Sequence, residues 1–118
     1  MLVELAKYKS SKSNLFTGRP QGKQVRDLLE LDKKEKSEKE ITFLIPGDIN
    51  GFNPSFYLGL FFQSYKNLGV EGFEKLFKFI IDSDNQDLVK IINKDLADGR
   101  RNAINSLDGT SIFGKFIM

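Results

Sequence analysis

The stretch Ile41-Thr42-Phe43-Leu44-Ile45-Pro46-Gly47-Asp48-Ile49-Asn50-Gly51-Phe52-Asn53-Pro54-Ser55-Phe56 decides the fold. Its first five residues are apolar apart from Thr42 and rich in β-branched side chains, as in a central strand covered on both faces. Pro46 to Gly51 ends that strand with a cluster of turn formers. Asn53 is a good helix cap and Pro54 suits the first helical position, where its missing N–H would be unpaired anyway. A buried strand that passes by a short turn into a helix is the repeating unit of an α/β domain.

Working outward, the helix begun at Pro54 runs to about Leu68, with Gly69 closing it as a left-handed cap. It carries Phe56, Tyr57, Leu58, Leu60, Phe61, Phe62, Tyr65 and Leu68 nearly all round its axis. Such a helix is either central in the fold or keeps one face for a partner. A short helical turn is expected at Glu71–Lys75 and a strand at Leu76–Ile81. Ser83, with Gln86 three residues on, reads as a capping box. A helix then runs to about Ser106 on a stripe of Leu88, Ile91, Ile92, Leu96, Ala103 and Ile104, carrying Gly99 at some cost. Its late cations Lys94, Arg100 and Arg101 suit the negative end of its dipole and read as a solvated face. Leu107–Thr110 reads as a break before an apolar tail, Ser111–Met118, which suits an edge strand.

Upstream, Leu2–Tyr8 alternates as a short strand with Val3 and Leu5 on one side. Lys9–Asn14 is a loop, and Leu15-Phe16 starts a second short strand or plugs the core. Thr17-Gly18-Arg19-Pro20 begins a helix to about Leu31, with Val25, Leu28 and Leu29 as its core stripe and Leu31 alongside. The charged run Asp32–Glu40 reads as a solubilising connection, which either prolongs the helix as a solvated turn or two or forms a mobile loop. Strands therefore alternate with helices, which predicts parallel neighbours.

The chain has 118 residues, one domain by length. Its net charge is +2, too small for a general nucleic-acid footprint. It contains no His, no Cys and no Trp. That excludes a Ser-His or Cys-His nucleophile pair, a Cys/His zinc site and any disulfide. Neither a metal nor a cofactor is implied by any motif. No apolar run approaches the ~20 residues that span a bilayer, and no secretory leader is visible. A cytoplasmic protein is the expectation, since the lack of Cys is compatible with a reducing compartment.

Three stretches could carry function. Gly18-Arg19-Pro20-Gln21-Gly22-Lys23 superficially resembles a phosphate loop. Such a loop needs four residues between its glycines, then Lys and Ser or Thr. Here three residues separate Gly18 from Gly22, Lys23 is followed by Gln24, and Pro20 removes a donor. A helix entry with a packing glycine is the favoured reading, and Gly18, Arg19, Gly22 and Lys23 are the candidates for the alternative, a small-molecule or nucleotide site. Ser55 stands in the first turn of a helix, where free N–H groups and the dipole would stabilise a phosphate. The pairs Asp82/Asp84 and Asp95/Asp98 lie in no evident cleft, so acid–base catalysis is not expected.

Three blocks in order carry a family likeness: Gly18–Arg26, the strand Ile41–Ile45 with Gly47, and Asn53–Phe61. Together they resemble the STAS-like domain family of bacterial and archaeal proteins, over about residues 13–106. Residues 107–118 would be an apolar tail or edge strand. The resemblance implies a single α/β domain, a mixed sheet of about four to five strands with three to four helices. The wider group resembles anti-sigma factor antagonists, small domains that bind an ATPase-fold, histidine-kinase-like partner. In them a serine at a helix head is phosphorylated and the partner is released. By position Ser55 matches that serine, although the antagonists carry Asp-Ser-Ser-Gly where this chain has Asn53-Pro54-Ser55-Phe56. Members of the STAS-like family often have Asp in the preceding strand, where this chain has Leu44.

The resemblance thus implies a non-enzymatic regulatory module. Its partner surface would include Asn53, Pro54, Ser55, Phe56 and Tyr57, with Ser55 as phosphoacceptor. Neither nucleic acid nor membrane is an expected partner. The apolar helix and tail also suit a homodimer.

Overall fold

The structure, a computed structural model, describes residues 1–8, 15, 16, 18–49 and 51–117, and for 15, 16 and 108–117 it describes the backbone only. The loop expected at Lys9–Asn14, Thr17 and Asn50 lie outside the described residues.

Strand β1 (Leu2–Glu4) passes into a 3-10 turn over Leu5–Tyr8. After β2 (Leu15–Phe16) come helices α1 (Arg19–Leu29) and α2 (Leu31–Ser37). Strands β3 (Ile41–Pro46) and β4 (Gly51–Phe52) lead to helix α3 (Pro54–Leu76). Strand β5 (Phe77–Asp82) and helix α4 (Gln86–Ile117) complete the domain. This is a small α/β fold, as the strand–helix alternation predicts.

The main sheet has three strands in the order β1-β3-β5, and β2 pairs with β4 in a separate two-stranded ladder. Every pairing is parallel. The mixed sheet of four to five strands expected from the family likeness is therefore corrected. The order of strands places β3 at the centre of the sheet, where its apolar run belongs.

In the sheet, Val3, Phe43 and Phe79 stand in register, as do Glu4, Leu44 and Ile80. The first row faces the helices, with Val3 and Phe43 buried. The second faces outward: Leu44 is half-buried, and Ile80 is exposed. The expectation that β3 is covered on both faces is thus corrected, because the helices pack on one face only. The strand expected over Leu2–Tyr8 is corrected, since it ends at Glu4 and Leu5–Tyr8 is a 3-10 turn, but the predicted inward pair Val3 and Leu5 is buried.

Helix α3 is the axis of the core. Phe56, Tyr57, Leu60, Phe61 and Tyr65 are all at most 2 % exposed. They meet Phe43, Phe73 and Phe77 in one aromatic cluster, with Phe43–Phe61 edge-on at 5.1 Å and Tyr65–Phe73 stacked at 4.0 Å. Each such pair adds about 0.5–1.5 kcal/mol beyond its area burial. Of the two roles open to this aromatic helix, the central one is what the structure shows. Gly69, with φ 74° and ψ 170°, breaks the helical run inside α3, where the sequence places a cap. The turn after it, ahead of β5, is helical as expected.

Four local expectations change. Leu28 is 65 % exposed, and Arg26 takes a buried place on α1 instead. Of the two forms open to the charged run after Leu31, the structure shows the helical one, α2, but the run is not wholly solvated, since α2 buries Leu31 and Glu35. Its start is set by Glu30, held in the left-handed region at φ 53°. The cap of α4 is Asn85, whose Oδ1 accepts from the N–H groups of Asp87 and Leu88. Ser83 instead accepts from the Asn85 N–H at 3.0 Å, so no capping box forms with Gln86. The backbone of α4 continues through residues 107–117 with neither the predicted break nor an edge strand.

Candidate functional site

The head of α3 is built from β4 upward. Asn53 caps the helix in an extended conformation, its side-chain oxygen accepting from the Ser55 N–H at 2.7 Å. That bond satisfies one of the amides every helix leaves unpaired at its start. Asn53 and Ser55 are exposed and Pro54 is half-buried. Phe56 and Tyr57 are buried, at 0 % and 2 % exposure. As partner-contacting residues these two are corrected: their rings anchor the helix in the core, and a partner arriving at the head meets Asn53, Pro54 and Ser55.

The anchoring is firm. Phe52 packs edge-on against Phe56 at 5.2 Å, and its backbone N–H donates to Asp95 Oδ2 at 2.8 Å. Asp95 thereby ties the strand before α3 to α4, a positioning role that spacing alone did not reveal. On the next turn, the Tyr57 and Tyr65 hydroxyls share a hydrogen bond of 2.6 Å. Burial pushes both phenols above their ordinary value of 10.0. The close fit of Gly99 against the Tyr57 ring lets α4 approach α3 there, which is what the mid-helix glycine is for.

The glycines of the first candidate stretch serve packing. A Cβ on Gly22 would collide with the Phe56 carbonyl, and one on Gly59 with the Arg19 carbonyl. Helices α1 and α3 therefore touch backbone to backbone. Residues 19–23 are the first turn of α1, not a loop, and Gly22 faces protein rather than an open cradle. The helix entry with a packing glycine is thus what the structure shows, and no phosphate loop forms over Gly18–Lys23. Gly18 is the N-cap, with φ 84° and no capping side chain. Arg19 and Lys23 instead line a groove of about 470 Å³ between α1 and α3, together with Arg26, Leu58, Phe62 and Lys66.

Beneath the groove lies a polar network that sequence reasoning missed. Arg26 donates through Nη1 to the Leu60 carbonyl at 2.9 Å and to Ser64 Oγ at 2.6 Å. Through Nη2 it donates to Asp32 Oδ1 at 2.6 Å and to Glu35 Oε2 at 3.1 Å. Ser64 closes the circuit by donating to Glu35 Oε2 at 2.7 Å. The Arg26 hydrogen bond holds the Asp32 carboxyl below its ordinary range. A sequence signal existed: Leu31 and Glu35, four apart, share a helical face in a run that looks wholly solvated.

Asp95 and Asp98 do structural work. Asp98 pairs with Lys94 and Arg101, and Asp95 with the Phe52 amide. Asp82 and Asp84 are exposed. Arg100 pairs with Glu74 across the two helices. Among the described residues, no group of three or more acidic side chains is placed to hold a metal ion, and no helix is long and apolar enough to cross a membrane. Comparison with known proteins finds no matching family model, no matching curated protein and no matching solved structure.

Proposed function

We propose that this chain is a non-enzymatic regulatory module that binds a protein partner through the head of α3, in the manner of anti-sigma factor antagonists. Ser55 is its switch: an ATPase-fold, histidine-kinase-like partner phosphorylates it and then lets go. The observation that carries the reading is the position of Ser55, exposed in the first turn of a helix whose next two residues are buried. The hydroxyl is accessible to a kinase, yet the turn that bears it cannot wander. A phosphate there would meet the positive end of the α3 dipole and remain stable. It would also add about two negative charges to a surface that carries no ionised side chain from Asn53 to Gln63, enough to expel a partner fitted to the neutral form.

The test pairs the purified chain with an ATPase-fold kinase encoded beside it and measures complex formation with and without ATP. Binding without ATP, and loss of binding as one phosphoryl group appears on Ser55, is the expected result. Ser55→Asp should weaken the complex and Ser55→Ala should keep it while blocking phosphorylation. Equal binding by all three forms would refute the switch.

A further inference from the structure

The groove between α1 and α3 has the chemistry of a ligand site. The two helices run side by side in the same direction: Arg19 lies against Gly59, and Arg26 against Leu60 and Ser64. Because Gly22 and Gly59 bring the backbones into contact, the flanking side chains form the groove's banks. Arg19 and Lys23, one turn apart, stand on the α1 bank, and neither forms an ion pair with another described residue. Leu58 and Phe62 supply an apolar wall from α3, and the Lys66 ammonium sits over the Phe62 ring at 5.7 Å. The volume of about 470 Å³ is that of a small-molecule site.

The distribution of charge around the groove favours an anion at the Arg19 end. Arg19 is also the first residue of α1, and its N-cap Gly18 contributes no side-chain acceptor. Arg26, which lines the same groove, is 6 % exposed, and its Nε is buried with no hydrogen-bond partner. Its other two nitrogens are taken up by Leu60, Ser64, Asp32 and Glu35. Two carboxylates also line the groove, Asp27 one turn beyond Lys23 and Asp32 on α2, and both lie away from Arg19 along the chain, which favours an anion at the Arg19–Lys23 end.

We infer that this groove binds a small organic phosphate, its phosphoryl group held by Arg19 and Lys23 and its organic part lying on Leu58 and Phe62. This site is separate from the Ser55 switch and does not depend on it. The matching chemistry is a charge-assisted contact from a planar guanidinium and an ammonium to phosphate oxygens, beside an apolar shelf.

Amide NMR titration of the full chain with inorganic phosphate, adenosine monophosphate and adenosine tests it. The phosphate and the nucleotide should both shift the amides of residues 19–23, the nucleotide should also shift residues 58–66 and bind more tightly, and adenosine should do little. Arg19→Gln and Lys23→Gln, both at exposed positions, should each weaken the nucleotide about tenfold and leave the folded spectrum intact. No shift with millimolar phosphate or nucleotide would overturn the inference. So would equal binding of adenosine and its monophosphate, or binding unchanged in Arg19→Gln and Lys23→Gln.

Discussion

Arg26 and Glu35 form an ion pair at 3.1 Å with only 7 % and 3 % of their side-chain surfaces exposed. Removing one member of such a pair leaves the other charge buried and uncompensated. Arg26→Met, which leaves the buried Glu35 carboxylate with only Ser64 and Asn67 as partners, should therefore lower the unfolding free energy by about 3–5 kcal/mol, read from urea denaturation. Arg26→Met combined with Glu35→Leu should recover most of that loss, since neither charge then remains. A double variant as unstable as the sum of the single ones would show that the pair is not an energetic unit.

Gly22 and Gly59 mark the crossing of α1 and α3, where a Cβ on either meets the other helix's backbone. Backbone cannot rotate aside as a side chain can. Gly22→Ala and Gly59→Ala should each destabilise by about 1–3 kcal/mol or more, although alanine is the better helix former. A rise in melting temperature for either variant would contradict the close contact.

Glu30 sits at φ 53°, ending α1 and starting α2, with its own N–H bonded to the Asp27 carbonyl at 3.1 Å. A non-glycine residue pays about 1–2 kcal/mol for that conformation. Since Glu30 is exposed and glycine visits this region freely, Glu30→Gly should stabilise the protein by about 1 kcal/mol. Thermal unfolding of the two forms measures it directly.

The Asp32 carboxyl is held below its ordinary value of 3.8, chiefly by the Arg26 hydrogen bond. A carboxyl lowered in the folded state contributes its stability above its unfolded value and loses it as pH falls through the folded one. Stability should accordingly decline as pH drops below about 4. Asp32 is 71 % exposed, so solvent screening keeps its share small. Asp32→Asn should make the acid limb of a stability-against-pH curve shallower and leave the curve near neutrality almost parallel to the parent's. An unchanged acid limb would remove Asp32 from the account.

Much of this architecture was legible in local sequence. Ile41–Ile45 announces a central strand by composition, and the Asn53-Pro54 pair announces where α3 begins, because caps and prolines act within one turn of chain. Gly69 likewise signals the interruption of α3, since few other residues take a positive φ without strain. The head of α3 could be read for the same reason: a cap, a proline and a serine lie side by side. What local sequence could not show is which aromatic of α3 turns inward, and the answer is nearly all of them.

By itself, then, the sequence determined the alternation of strand and helix, the parallel pairing, the central place of Ile41–Ile45 and the position of Ser55 in the first turn of a helix. These follow from propensity, capping and periodicity, which act over a few residues. Only the tertiary structure decided that Phe56 and Tyr57 anchor rather than recognise, that Gly22 packs against α3, and that Arg26 and Glu35 are sealed together beneath a groove. Each of those depends on side chains brought together from distant positions, as with Arg26 and Ser64, 38 residues apart. A charged residue in a hydrophilic run looks solvated until its partner arrives from another helix, and burial is a property of that meeting, not of either residue alone.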